Sequence, residues 1–167
     1  ADIAKALAAP TPDVRSAAAW ALSQMGAAAA PAAPALARTL TDSDSRVRGL
    51  ATLALRAMGP GARPALPALT KSLDDPSPWV RAVSADAIGG LGPAGQPAVD
   101  ALSRHLAGGN ETIVFVMRSA ATALGAIGPG AAASLPALEQ TLKHPRVIYA
   151  AQEAIQRIKG QPVDTWR

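Results

Sequence analysis

Between Arg63 and Gly95 the apolar positions fall into two groups. Leu66, Leu69 and Leu73 stand at i, i+3, i+7, the spacing of one face of an α-helix. After Asp74-Asp75-Pro76, a second stripe runs through Val80, Val83, Ser84, Ala87, Ile88 and Leu91, about three to four positions per two turns. Pro64 and Pro67 mark the start of the first helix. Ser77 is placed to cap the second, and Pro78 opens it where a missing N–H costs nothing. Gly92 is placed as its C-cap, with Pro93 following where the helix cannot continue. The pattern predicts a helical hairpin with one apolar side, which it cannot bury by itself.

The same pattern recurs. Val14, Val47 and Val80 are 33 residues apart, as are Arg15, Arg48 and Arg81, and Gly26, Gly59 and Gly92. The N-cap column reads Thr11, Asp44, Ser77. Self-similarity at such a period means stacked units rather than one globular core. Residues 1–167 are therefore read as a single repeat domain, with units 1–29, 30–62, 63–95, 96–131 and 132–159 and a polar tail, 160–167. In the fourth unit Leu106 to Val116 spans ten positions, where Leu40 to Val47 and Leu73 to Val80 span seven. The extra residues fall in a Gly-rich turn, Ala107-Gly108-Gly109-Asn110. The fifth unit runs through Leu135, Leu138, Leu142, Val147, Ala154, Ile155 and Ile158, with Lys159 in the glycine column. Gln152, Glu153, Gln156 and Arg157 give its second helix the polarity expected of a terminal cap. Ala1 aligns with Pro34, so the first unit is expected to be short, as in a fragment, a trimmed chain or a chain cleaved after a leader.

Hydrophobic residues make up 49% of the chain, yet Phe and Tyr occur once each. Alanine fills much of that share, and the column Ala21, Ala54, Ala87, Ala123, Ala154 lets helices approach closely. No apolar run reaches the roughly 18 residues of a membrane span. The absence of cysteine leaves the compartment open: cytoplasmic or, after leader removal, periplasmic or secreted. The formal charge of +4 comes mostly from the second unit and the C-terminal one rather than from one block, so nucleic-acid binding is permitted rather than indicated.

Ankyrin and tetratricopeptide units share this period, but the T-P-L-H turn of one and the aromatic pattern of the other are missing. What stands here is L-P-A-L (Leu66 to Leu69, Leu135 to Leu138), then D-P-x-x-x-V-R (Asp75 to Arg81), then A-[LI]-x-x-[ML]-G-P (Ala54 to Pro60, Ala87 to Pro93). This resembles the short bacterial HEAT repeats, the kind also found in phycobilisome-lyase subunits. The resemblance implies an all-α, right-handed α-solenoid of about five helical hairpins, whose second helices line a concave face. It further implies a ladder between repeats. Arg15, Arg48 and Arg81 lie in the first turn of the second helices, with Asp42 and Asp75 at the matching loop position. Ala9 departs from that loop pattern, and in the fourth unit Met117 takes the Arg column with Arg118 displaced by one. An Arg fork also binds carboxylate or phosphate bidentately, so a ligand-binding stripe is the competing reading.

Other chemistry is sparse. His105 lies near the end of a first helix and His144 in the N-cap column before Pro145; neither has a carboxylate at i+1. The His-Glu pairs of the di-iron hydroxylases built on this fold are therefore missing, and no metal or cofactor is called for. Trp79 is expected to pack over the turn it follows. Trp20, in the column Trp20, Leu53, Asp86, Thr122, Glu153, is expected to face outward. Two further columns are expected beside it: Ser16, Gly49, Ala82, Arg118, Tyr149, and Ser23, Arg56, Gly89, Gly125, Gln156. Trp20, Leu53, Arg56, Asp86, Arg118 and Tyr149 are the candidate binding residues, unless Trp20 only covers an open N-terminal edge. The function expected is a monomeric, non-catalytic scaffold for a protein partner. The alternatives are a subunit of a bilin-lyase-like enzyme and, more weakly, a nucleic-acid binder of the HEAT-like glycosylase kind. The latter use Trp and Asp on a basic face, whereas the face here lacks a dense Lys/Arg lining.

Overall fold

In the computed structural model, which describes residues 2–106 and 113–163, the described residues form helices and turns. First helices α1 (Asp2–Ala6), α3 (Ala33–Thr39), α5 (Leu66–Ser72), α7 (Val99–Arg104) and α9 (Leu135–Thr141) are short. Second helices α2 (Pro12–Met25), α4 (Ser45–Met58), α6 (Pro78–Gly89), α8 (Val114–Ile127) and α10 (Ile148–Ile158) are longer, 11 to 14 residues each. The turn Ala107-Gly108-Gly109-Asn110 and Trp166 lie outside the described residues.

The first four second helices each hand over to a seven-residue 3₁₀ segment: Gly26–Ala32, Gly59–Ala65, Gly92–Ala98 and Gly128–Ser134. Such runs exceed the usual 3₁₀ length of about three to four residues. The Gly-Pro segments lack the N–H groups that would propagate an α-helix, while their small residues Ala29, Ala62, Gly95 and Ala131 pack inward. Pro64 accordingly lies inside a 3₁₀ segment and Pro67 in the first turn of α5. The first residue of each segment needs a positive φ, +55° at Gly59 and +73° at Gly128, which glycine adopts without strain.

Several expected boundaries move. α6 ends at Gly89 with Gly90 rather than Gly92 as its C-cap, because the Leu91 N–H turns back to the Ile88 carbonyl (3.1 Å) and tightens the last turn. Gly89-Gly90 is poor helix sequence, which favours that early stop. In the last unit the positive φ falls on Gly160 (+67°), one residue past Lys159, which keeps helical angles. His144 does not cap α10. Its carbonyl takes the N–H groups of Val147 and Ile148, making a turn first, and the helix starts at Ile148. Of the capping column, only Asp44 bonds through its side chain, accepting from the N–H of Arg46 (2.8 Å) and Val47 (3.2 Å). Thr11 and Ser77 hold the extended cap conformation without that bond. A carboxylate reaches further than a hydroxyl and its bond is charge-assisted.

The core is one continuous cluster of Ala, Leu, Val and Ile with Met58. Leu36, Leu69, Leu102 and Leu138 from the first helices meet Leu55, Ile88 and Leu124 from the second, all fully buried. Each contributes about 1.5–3 kcal/mol on burial. Leu50, expected within the stripe, is only half-buried, and Val14 is exposed where Val47 and Val80 are fully buried.

One stretch, Val114–Thr141, has the length and composition of a membrane span, against the sequence expectation. It is α8, a 3₁₀ segment and α9 in succession, and 44% of its most apolar window is buried inside the protein. Its apolarity serves the core.

Second helices pack side by side from α2 to α10, whereas first helices touch their counterparts at few points. The approach is closest at glycines: a Cβ on Gly89 would lie 2.9 Å from Ala123 Cα, and one on Gly125 2.9 Å from Ala154 Cα. The second helices thus form one continuous layer of this α-solenoid, whose outward side is termed the inner face.

Candidate binding face and its inter-repeat ladder

In an α-helix, residues at i, i+3, i+7 and i+10 share a face. On α2 the inner face carries Asp13, Ser16, Trp20 and Ser23, and the other second helices follow the same columns. The column expected to face out at Ser16, Gly49 and Ala82 is buried there, and only Arg118 and Tyr149 of that column are exposed. Ser23 and Gly125 are likewise buried and Gly89 half-buried, because neighbouring second helices close over them. Trp20 is 55% exposed and Tyr149 67%. Leu53 and Asp86 are half-buried, and Arg56 is exposed.

Neighbouring second helices touch in two ways. Straight across one column Arg46 on α4 bonds Asp13 on α2, and on a diagonal between two columns Arg56 Nη1 lies 3.3 Å from Asp86 Oδ2 on α6. Trp79 follows the same diagonal instead of packing over its turn. Its ring lies on Gly49, where any Cβ would sit 1.7 Å from a ring carbon. Trp79 and Phe115 both remain 41% exposed. Neither stood among the candidate binding residues, yet a signal was present: they belong to one column, Asp13, Arg46, Trp79, Phe115, Arg146.

At the edge of this face the arginine column binds two ways. Arg15 donates from Nε to Asp42 Oδ2 (2.6 Å) and from Nη2 to Oδ1 (2.9 Å), while Nη1 reaches the carbonyls of Ala9 and Pro10 (both 2.9 Å). Arg48 repeats this on Asp75 (2.7 and 2.9 Å), with Nη1 on the carbonyls of Asp42 (2.8 Å) and Ser43 (3.2 Å). Arg81 Nη1 reaches the carbonyls of Asp75 (2.8 Å) and Pro76 (3.2 Å). The loop behind each arginine thus supplies a carbonyl, which alanine provides as well as aspartate; Ala9 costs nothing on that arm. Each aspartate also accepts a backbone N–H two residues on, Asp42 from Asp44 and Asp75 from Ser77, fixing the loop.

The electrostatics follow. The Arg15 hydrogen bond holds the Asp42 carboxyl below its usual range, against the opposing effect of burial. At Asp75 burial pushes upward, and the Arg48 and Ser77 hydrogen bonds with the Arg48 and Arg81 charges outweigh it, leaving that carboxyl lowered too. Arg15 and Arg48 are raised in turn, chiefly by their bonds to Asp42 and Asp75.

His105 is buried at the end of α7, with Nε2 3.4 Å from Asp74 Oδ1. Among the described residues no three His, Cys, Asp or Glu side chains gather as a metal site needs. Clefts open at the turn edge instead, one of about 390 Å³ between Leu40, Pro67, Lys71 and Asp75 and one of about 500 Å³ beside Met117 and His144. They are gaps between successive turns and do not reach the inner face.

Many solved structures resemble this one, and three illustrate the likeness. The complex of CpcE and CpcF of phycocyanin lyase from Nostoc sp. PCC7120 matches 96% of this chain at 27% identity and TM-score 0.80, and the chain spans 65% of the lyase chain. A designed armadillo repeat protein in complex with the peptide (KR)4 matches 93% at 22% identity and TM-score 0.78, over 80% of its own length. An engineered protein matches 94% at 22% identity and TM-score 0.76, over 78% of its length. A search of curated protein sequences finds no match. A family model described as HEAT repeats matches residues 1–89 and 66–159, and the chain belongs to that family.

Proposed function

We propose that the chain is a non-catalytic scaffold that binds a protein partner on the inner face of its second helices. One observation carries the reading. Every aromatic side chain among the described residues, Trp20, Trp79, Phe115 and Tyr149, is exposed and stands on a second helix, while the core is aliphatic. Exposed aromatics with arginine are the usual anchors of protein interfaces. The carboxylates of this face, Asp13, Asp86 and Glu153, are each held by an arginine (Arg46, Arg56 and Arg157), an arrangement suited to recognition rather than proton transfer. In this reading Arg15, Arg48 and Arg81 with Asp42 and Asp75 have a structural role, holding the register of the stack.

Replacing Trp20, Leu53 and Arg56 together by Ala or Ser tests it. Partner affinity should fall at least tenfold, about 1.4 kcal/mol, with the melting temperature nearly unchanged. Binding that survives while α1 and α2 melt would instead make Trp20 a cover for the N-terminal edge.

The 27% identity to the phycocyanin-lyase chain supports a second reading, in which the same face serves inside a two-chain bilin-lyase-like enzyme. Native mass measurement of the chain with a companion solenoid subunit separates the two, since only the second reading requires a stable two-solenoid assembly.

A further inference from the structure

The C-terminal half of the inner face differs from the rest in charge. Arg46, Arg56 and Arg157 each hold a carboxylate on the same face. Arg118 on α8 and Arg146, just ahead of α10, are exposed and make no ion pair among the described residues. Their columns are those of Gly49 and Trp79, which touch across α4 and α6. By the repeat, Arg118 and Arg146 take the diagonal that carries Gly49 with Trp79 and, further along α4 and α6, Arg56 with Asp86. Like charges on that diagonal repel unless an anion lies between them. Phe115 lies one turn ahead of Arg118 on α8 and Tyr149 three residues after Arg146 in the first turn of α10, and both are exposed.

We propose that this quartet, Phe115, Arg118, Arg146 and Tyr149, docks an acidic segment of the protein partner, a carboxylate bridging the two arginines and its apolar neighbours lying on the two rings. The inference rests on the binding-face reading above and deepens it. Bidentate geometry favours carboxylate on guanidinium, and aromatic faces accept both aliphatic side chains and the arginines themselves. A polyphosphate fits less well, because Asp13, Asp86 and Glu153 lie along the same face and a nucleic-acid backbone needs a continuous cationic track.

The test uses the full chain and three fluorescent probes of equal length: an alternating Glu-Leu peptide, an alternating Lys-Leu peptide and oligodeoxythymidylate. The Glu-Leu peptide should bind preferentially. R118A/R146A should weaken it at least tenfold without changing the melting temperature, and R118E/R146E should shift preference to the Lys-Leu peptide. Absence of Glu-Leu binding, equal binding by R118A/R146A, or tighter binding of the oligonucleotide overturns the proposal. None of these results touches the Trp20, Leu53 and Arg56 test, whose outcome decides the broader reading separately.

Discussion

Arg48 of α4 holds Asp75 of the following unit with two parallel bonds, 2.7 Å from Nε and 2.9 Å from Nη2. Its remaining nitrogen takes the carbonyl of Asp42, whose own carboxylate is held by Arg15. One residue thus fastens three successive stretches of chain. Both side chains of the pair are largely buried, at 13% and 6% exposure.

Arg48→Ala should therefore lower stability by about 1–3 kcal/mol, the range for charge-assisted bonds whose partner is left buried. Arg46→Ala, which breaks only the exposed pair with Asp13, should cost less than about 1 kcal/mol. Urea unfolding of the two variants makes the comparison, and equal losses would deny the ladder its structural role.

Acid should attack the same joints. Asp42 and Asp75 titrate lower in the folded chain than in the unfolded one. As pH falls below the unfolded carboxylate value of about 4, the unfolded chain takes up protons the folded one does not. Their contribution is complete above that value and is lost as pH drops through the folded pKa values. Thermal melts of D42N/D75N should show a shallower fall in this acid window than the parent chain, and parallel curves would contradict the assignment.

Ser84 offers a stabilising change. It is fully buried on α6 and its hydroxyl finds no hydrogen-bond partner, whereas Ala18, Ala51, Ala120 and Ala151 fill the same column. An unsatisfied buried hydroxyl costs about 1–3 kcal/mol. Ser84→Ala should raise the denaturation midpoint with no change in slope; a lower midpoint would mean the hydroxyl is satisfied in solution.

The repeat, its helical hairpins and the solenoid were legible because each rests on periodic residue types that a sequence displays directly. The Arg15–Asp42 and Arg48–Asp75 pairs show the same property: both columns recur at one period, though the resemblance to a family supplied their pairing. What escaped reading depends on how closely neighbouring second helices approach. Ser16, Gly49 and Ala82 look like outward positions on an isolated helix, and they are buried only because adjacent second helices crowd together. Trp79 was misplaced for the same reason, since the space it fills is the missing side chain of Gly49, 30 positions earlier. The 3₁₀ segments were hidden by their own composition, because Gly and Pro read as loop whether or not the backbone coils.

Site-specific photocross-linking tests the binding face most directly. A photoreactive side chain at Leu53 or Thr122 probes the inner face, and one at Lys71 or Gln140 probes the first helices. In extract of the source cells, Leu53 and Thr122 should trap the same protein species and the first-helix positions should not. Equal trapping at all four positions, or trapping confined to Lys71 and Gln140, would contradict a partner seated on the second helices.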